Sequence, residues 1–463
     1  MNLKSKTIVF SITLLSLSQV GLLYLLRARP AVAPVKTVTS NSDLAVSGPE
    51  ESGQIATESA DPGEQVKGGI VPHHLMVRDQ LAAYFKAFDG ANYDSVVIIG
   101  PNHFSRGDKI ITTDRAWPTA SGKELVPDIS MINELGIEVQ NEPFTQEHSI
   151  GNLVSFVKDA MPKAKIVPII LRIDTTQDEA ANLAENLAKA VAGKKTLVLA
   201  SVDFSHYQQV AVADLHDMAS RAAIDNFELG RIYGLEIDSP PSIYALLKYL
   251  SLTGAEKGQL KFATNSGRLA PATADNTTSH NFYYFYPGKA KTEKYFSGLF
   301  FGDIMIDRHV GERIKSIKVD GLIKSLAGDE KRFLMGTDIV SANLEGAVTD
   351  AGAHYAPQLS NDFAFAPSNV QVFKQYGFNF FNMANNHLTD QGGVGLKETE
   401  KNLTALSLNH SGCPDKAVGD CTGVIEQYGN TKVAMLGFSM VYGDFDLTKA
   451  KEKVSEAKKQ ADF

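Results

Sequence analysis

Two stretches constrain this chain more than any other feature. Ser95-Val96-Val97-Ile98-Ile99 runs into Gly100-Pro101-Asn102-His103, and Thr196-Leu197-Val198-Leu199-Ala200 runs into Ser201-Val202-Asp203-Phe204-Ser205-His206. Each begins as a short, continuous apolar run rich in branched side chains, the pattern of a strand buried on both faces. Residues 166–171 form a third such run, and residues 179–192 carry the amphipathic pattern of a covering helix. Strands alternating with helices predict a mainly parallel α/β sheet, with reactive residues gathered where strands end. The same pattern returns later: runs at 299–301, 337–340 and 378–381 each lead into polar residues, which predicts a second α/β unit starting near Tyr295.

A chain of 463 residues is too long for one ordinary core, so two such units are the expected number. The formal net charge of −8, with no concentrated basic run, argues against a nucleic-acid partner. The amino-terminal residues have a different character. Lys4 and Lys6 precede an apolar run over residues 7–26, and Arg27 and Arg29 follow it. About 20 apolar residues suffice to cross a bilayer as a helix. The expectation is therefore a signal anchor over residues 1–30, with the rest of the chain exported from a bacterial inner (cytoplasmic) membrane. Ala31-Val32-Ala33 offers the alternative of a cleaved signal peptide.

Residues 31–66, rich in Ser, Pro, Ala, Thr and acidic side chains, read as a disordered tether. The first globular unit is expected over 67–290 and the second over 295–463. Cys413 and Cys421 are the two cysteines. They read as one disulfide closing a short loop, as suits export, or else as two unpaired thiols.

In the first unit His73, His103 and His148 sit where the chain enters or leaves predicted elements, and Asp203 and His206 add a carboxylate and an imidazole. Histidines that cap neighbouring strands can converge on a metal ion. Asp203 and His206 could move protons or orient a ligand. His74 and His216 are read as non-ligands, His216 because residues 214–225 form an ordinary amphipathic helix. The aromatic run at 281–286 reads as the final strand of the sheet.

The ordered set Pro72-His73, Gly100-Pro101-Asn102-His103, Glu147-His148-Ser149 and Ser201-Val202-Asp203-Phe204-Ser205-His206-Tyr207 resembles the Memo family, protein B of the AmmeMemoRadiSam group. That family is related to class III extradiol (LigB-like) dioxygenases, which use non-haem iron. The resemblance implies that His73 and His103 bind a metal, whether iron, copper or zinc, with His148, Asp203 and His206 as catalytic residues of the same cleft. It also implies a third ligand, Cys or a carboxylate, from about residues 264–280. The sequence has Asn265, Ser266, Asp275 and His280 there, so Asp275 or His280 would have to substitute.

In the second unit Gly302-Asp303, Asn343-Leu344-Glu345 and Asn385-Asn386-His387 each follow a strand-like run. Carboxylates, an amide and an imidazole at strand ends can form an oxygen and nitrogen ligand set for divalent cations. The three motifs in this order resemble the CapA family of capsule and poly-γ-glutamate biosynthesis proteins, whose fold is like that of calcineurin-like metallophosphatases. By that resemblance Asp303, Glu345, Asn386 and His387 hold a divalent cation. Further family histidine motifs lie beyond the helix at 447–460, whereas this sequence stops at Phe463, so the unit is expected to be incomplete.

The reading that follows is a membrane-anchored fusion of the two families serving envelope or surface-polymer metabolism, with a polymer or peptide as partner. Both ligand sets are incomplete by sequence, which leaves enzymatic activity open. Its rivals are a non-haem iron dioxygenase acting on an aromatic diol and a non-catalytic binding scaffold.

Overall fold

The computed structural model describes residues 9–13, 66–327, 332–353 and 362–463, with side chains at 9–13 and 326 left undescribed. Its fold is mixed α/β, with two main sheets. In chain order the strands are β1 (Val9–Thr13), β2 (Gly68–Val71), β3 (Ser95–Pro101), β4 (Ile110–Thr112), β5 (Glu138–Val139), β6 (Lys165–Leu171), β7 (Thr196–Ser201), β8 (Lys257–Asn265), β9 (Ser279–Tyr286), β10 (Phe296–Ile304), β11 (Ile339–Leu344), β12 (Phe380–Asn382) and β13 (Asn409–Ser411). The first sheet has eight strands in the order β8-β9-β2-β7-β3-β6-β4-β5. Its centre, β2-β7-β3-β6, is parallel, as the apolar runs predict.

Every residue of β3 and β7 is buried, because helices cover both faces. One face sends Val97, Ile99, Val198 and Ala200 toward helices α3 (Gln177–Ala190) and α5 (Pro240–Leu252). The other sends Val96, Ile98, Leu197 and Leu199 toward α1 (Arg78–Lys86) and α2 (Val154–Ala160). This alternation is the period-two geometry of a strand, here apolar on both sides. Helix α4 (Val210–Asp225) lies between the last parallel strand and the antiparallel pair β8-β9 along the chain. The aromatic run is not a terminal edge, since β9 is paired on one side with β8 and on the other with β2.

The second sheet is parallel throughout, in the order β1-β10-β11-β12-β13. Helices α6 (Pro367–Gln375) and α7 (Gly392–Ala405) contribute Val370, Phe373 and Leu403 to its core. Thr431–Leu436 is a strand too, one arm of a separate antiparallel hairpin with Gly423–Tyr428. Helix α8 (Leu447–Gln460) follows it.

The anchor expectation is corrected here. Val9–Thr13, inside the apolar run, is a strand that adds in parallel to the edge of β10. Among the described residues no helix is long and apolar enough to cross a membrane. The composition of the segment explains the outcome, since Val9, Phe10, Ile12 and Thr13 are β-branched or aromatic and favour strands. An extended segment of five residues spans only about 17 Å, against roughly 30 Å of hydrocarbon. The single-pass inner-membrane placement is overturned with it. The remainder of the 7–26 run and the tether over 31–65 lie outside the described residues.

Cys413 and Cys421 form a disulfide across a sequence separation of 8. Closing so short a loop restricts the unfolded chain modestly, so reduction should lower unfolding free energy by about 2–3 kcal/mol. Urea unfolding with and without a reductant measures it, and a midpoint insensitive to the reductant would contradict the estimate.

Candidate functional site

Strands β2, β7 and β3 lie side by side and parallel, so their carboxyl ends open into one cleft. His73, His103 and Asp203 each stand two positions beyond the end of a strand, after Val71, Pro101 and Ser201 respectively. Equivalent offsets on adjacent strands bring the three side chains together. Asn152 Nδ2 donates to the His73 carbonyl at 2.9 Å, fixing the first of these loops. A Cβ at Gly100 would stand 2.8 Å from Ser149 Oγ, so glycine there allows the 147–149 turn to close against β3.

Hydrogen bonding fixes the state of His73. Ser201 Oγ spends its proton on the Ser149 carbonyl at 2.6 Å, so it can only accept from His73 Nδ1, 3.2 Å away. The lone pair of His73 is then on Nε2, facing Asp203 Oδ2 at 3.3 Å and Asp238 Oδ2 at 3.4 Å. A lone pair against two carboxylates needs a cation or a proton between them. Burial holds the His73 imidazole down at about 4, although Asp203 pulls the other way. The imidazole itself therefore does not carry that proton near neutrality.

His103 repeats the arrangement. Its Nδ1 donates to Glu147 Oε1 at 2.7 Å, and its backbone N–H donates to Glu147 Oε2 at 2.9 Å. Ser149 N–H also donates to Oε1 at 2.9 Å. Burial alone would raise the Glu147 carboxyl, but the hydrogen bonds from His103 and Ser149 outweigh it and hold it at about 2. A fixed carboxylate on the outer nitrogen leaves His103 Nε2 free to point into the cleft, 4.0 Å from Asp238 Oδ2. His148 stacks on His103 with ring centroids 4.1 Å apart and stays half-exposed at the mouth.

Among the described residues, two groups of His, Cys, Asp or Glu bring ligand atoms within 4.8 Å of one another: His73, His103 and His148, and His73, Asp203 and Asp238. Asp238 was missed by sequence reasoning. It brings a carboxylate to both histidines from the turn before α5, whereas the expectation had placed one within residues 264–280. There, His280 is buried and donates from Nδ1 to Asp203 Oδ1 at 2.9 Å, while Asp275 is exposed. Burial pushes Asp203 upward, but His73 and His280 outweigh it and hold the carboxyl well below the usual range. Asp238 goes the opposite way, raised by burial and then by Asp203. Its Oδ1 is buried without a hydrogen-bond partner. An orphaned carboxylate oxygen beside a committed imidazole lone pair fits a divalent cation.

His206 lies deeper. Its backbone N–H donates to Glu236 Oε2 at 2.8 Å, and burial holds its ring down at about 4 against the pull of Asp203. His74 caps the turn at Leu75–Val77, its Nδ1 accepting from Met76 N–H. His216 is buried in α4 with Nδ1 2.8 Å from Ser205 Oγ. Neither belongs to the two ligand groups.

In the second sheet Glu345 follows the end of β11, whereas Asp303 lies within β10. Asp303 Oδ1 accepts from Asn343 Nδ2 at 2.8 Å. His387 Nδ1 donates to Asp390 Oδ2 at 2.9 Å, which turns Nε2 toward Glu345 Oε1 at 3.9 Å. Burial and then Asp303 raise the Glu345 carboxyl. Asn386 Nδ2 faces the Tyr442 hydroxyl at 3.4 Å, while Asn385 binds Asn343 and the Leu344 carbonyl. Glu345 and His387 thus converge. They make no three-residue His, Cys, Asp or Glu set among the described residues.

Comparison with known proteins divides the chain between the two sheets. Residues 50–276 match the family described as Memo-like protein, and residues 298–463 match bacterial capsule synthesis protein PGA_cap. A MEMO1 family protein of Nitrosopumilus maritimus is 29% identical over 234 residues, covering 46% of this chain and 84% of that protein. One from Pyrobaculum aerophilum is 31% identical over 196 residues, covering 40% of this chain and 66% of the relative. The capsule biosynthesis protein CapA of Bacillus anthracis is 29% identical over 140 residues, covering 30% of this chain and 33% of the relative, so the chain spans about a third of that protein. The chain is therefore a fusion of a Memo-like domain with a CapA-like domain of the PGA_cap family.

Proposed function

We propose that the Memo-like domain binds one divalent transition-metal ion through His73, His103 and Asp238, and that the fused chain serves capsule-type polymer metabolism. One observation carries the metal reading. Nδ1 of both histidines is spent on a protein acceptor, so both Nε2 lone pairs face the carboxylate of Asp238. Two imidazoles and one carboxylate with open positions suit non-haem iron, and a bound ion would supply Lewis acidity and sites for dioxygen or substrate oxygen. Around it, Asp203 is held by His280, and Glu147 fixes the tautomer of His103. His148, half-exposed at the mouth, is placed to exchange a proton with a substrate. The polymer role rests on the similarity to the capsule biosynthesis protein CapA.

In the CapA-like domain, Glu345 and His387 are the ligands we assign to a divalent cation, with Asp303 and Asn386 beside them. Since no third His, Cys, Asp or Glu joins them among the described residues, no reaction step is assigned there.

The test is elemental analysis of the purified chain against the His73→Ala/His103→Ala variant. One equivalent of iron, copper or zinc in the first and none in the second is expected. Metal retained by the variant would place it elsewhere. A second reading, extradiol-type oxygenation of an aromatic diol, is favoured by the carboxylate that Asp238 adds to the two histidines. Dioxygen uptake with catechol by the iron-loaded chain is its assay, and no uptake above the variant rejects it.

A further inference from the structure

The segment carrying Asp238 is also one by which the two domains touch. Along residues 228–238 the contacts to the CapA-like domain follow one another. Tyr295 donates from its hydroxyl to Glu228 Oε2 at 3.1 Å. Arg231 pairs with Asp338 at 3.0 Å and lies 4.2 Å from the Tyr295 ring centroid. Gly336 N–H donates to the Gly234 carbonyl at 3.1 Å. Glu236 then accepts from Arg332 Nη1 at 2.5 Å.

Glu236 is 1% exposed, and its two oxygens serve different masters: Oε1 takes Arg332, and Oε2 takes the backbone N–H of His206 at 2.8 Å. Two residues later, Asp238 exchanges backbone and side-chain hydrogen bonds with Asp203, its N–H donating to the Asp203 carbonyl and its Oδ2 accepting from Asp203 N–H, both at 3.1 Å. A rigid chain of bonds therefore runs from a guanidinium in one domain to the cleft of the other. Removing one partner of such a pair leaves a buried charge uncompensated, whereas the intact pair adds little to stability.

We infer that Arg332 of the CapA-like domain is a positioning residue for the Memo-like site, holding the 235–238 segment, and with it Asp238 and the 203–206 turn, in register with His73 and His103. Through this contact the fused domains form one functional unit: the CapA-like domain sets how well the Memo-like cleft holds its ion. The inference rests on the metal reading for its functional consequence, but the clamp itself is structural and can be read separately.

The test uses the full chain, with zinc ion alone as a redox-inert probe whose affinity is read by competition against a chromophoric chelator. Outer partners of metal ligands typically contribute about 10–100-fold in affinity. Arg332→Met should weaken zinc binding by about tenfold. Arg332→Lys, which can still reach one carboxylate oxygen, should stay close to wild type. Because Arg332→Met leaves a buried carboxylate without its cation, Arg332→Met/Glu236→Gln removes both charges together and so avoids that penalty. Weak binding persisting in that double variant supports positioning, and wild-type binding restored there would show that Arg332 only neutralises charge, which overturns the inference. Amide hydrogen exchange at residues 203–207 and 235–239 gives the independent readout. Exchange should quicken in Arg332→Met and in the double variant but not in Arg332→Lys. If the wild-type chain takes up no zinc, the metal reading fails, and the exchange rates still decide the clamp. Unchanged exchange and unchanged affinity in Arg332→Met would overturn it.

Discussion

Replacement of Asp238 by Ala should abolish high-affinity zinc binding by the Memo-like domain, a larger loss than the roughly 10–100-fold expected when an outer partner is removed. The expectation follows from what else is available in the cleft. His73 Nε2 faces two carboxylates at nearly the same distance, 3.3 Å for Asp203 and 3.4 Å for Asp238. They are not equivalent. Asp203 is anchored on its other oxygen by His280, whereas the other oxygen of Asp238 has no hydrogen-bond partner. Asp203→Asn should therefore fall within the range for an outer partner. Burial and the neighbouring Asp203 raise the Asp238 carboxyl, so in the metal-free chain it holds a proton more tightly than an ordinary carboxylic acid does. A metal ion must displace any proton held there, so binding should release protons, and more of them as pH falls. Titration calorimetry in buffers of different ionisation enthalpy reads the number directly. If Asp238→Ala binds zinc as well as wild type while His148→Ala does not, the third position belongs to His148, and the assignment of Asp238 is wrong.

The difference between what was legible and what was not follows from how each residue is placed. His73, His103 and Asp203 could be found from sequence because each interrupts a chain leaving a buried strand, and buried parallel strands write themselves as unbroken apolar runs. Asp238 follows a 3-10 turn at Leu229–Gly234 and leads into α5. No apolar run marks it, and Gly234-Leu235-Glu236-Ile237-Asp238 looks like any solvated loop. Glu147 was visible only as the neighbour of His148, since a residue that orients a histidine has no spacing signature of its own. The run at residues 7–26 shows the converse problem. Periodicity cannot separate a continuous apolar strand from an apolar helix, and at Val9–Thr13 pairing with β10 decides for the strand. The disulfide was legible because the two cysteines are close in sequence and have each other as their sole possible intramolecular partner.

His216 and Asp217 are consecutive, both buried in α4, and should tilt the stability of the protein in opposite directions with pH. Burial lowers His216 from 6.5 to about 4. The unfolded chain therefore takes up a proton on this residue at a pH where the folded chain does not, and stability falls as pH drops from 6.5 to 4. Burial raises Asp217 from 3.8 to about 7. Here the folded chain is the one that holds the extra proton between those values, so stability is gained on acidification and lost as pH rises toward 7. Each shift corresponds to about 3–4 kcal/mol if fully expressed, so the two nearly cancel in the wild-type chain. Single substitutions uncover them. His216→Gln should lose the acid-destabilising limb, leaving a chain relatively more stable at pH 4.5 than at pH 7 by comparison with wild type. Asp217→Asn should do the reverse, with an acid limb steeper than wild type by about 3–4 kcal/mol. Urea midpoints at the two pH values measure both, with slopes checked for constancy. His73 and His206, each also lowered to about 4 by burial, add to the acid limb in all three proteins and do not affect the comparison. Parallel profiles for the two variants would mean that water reaches this pair in solution and that neither group is desolvated as the packing of α4 against β9 requires.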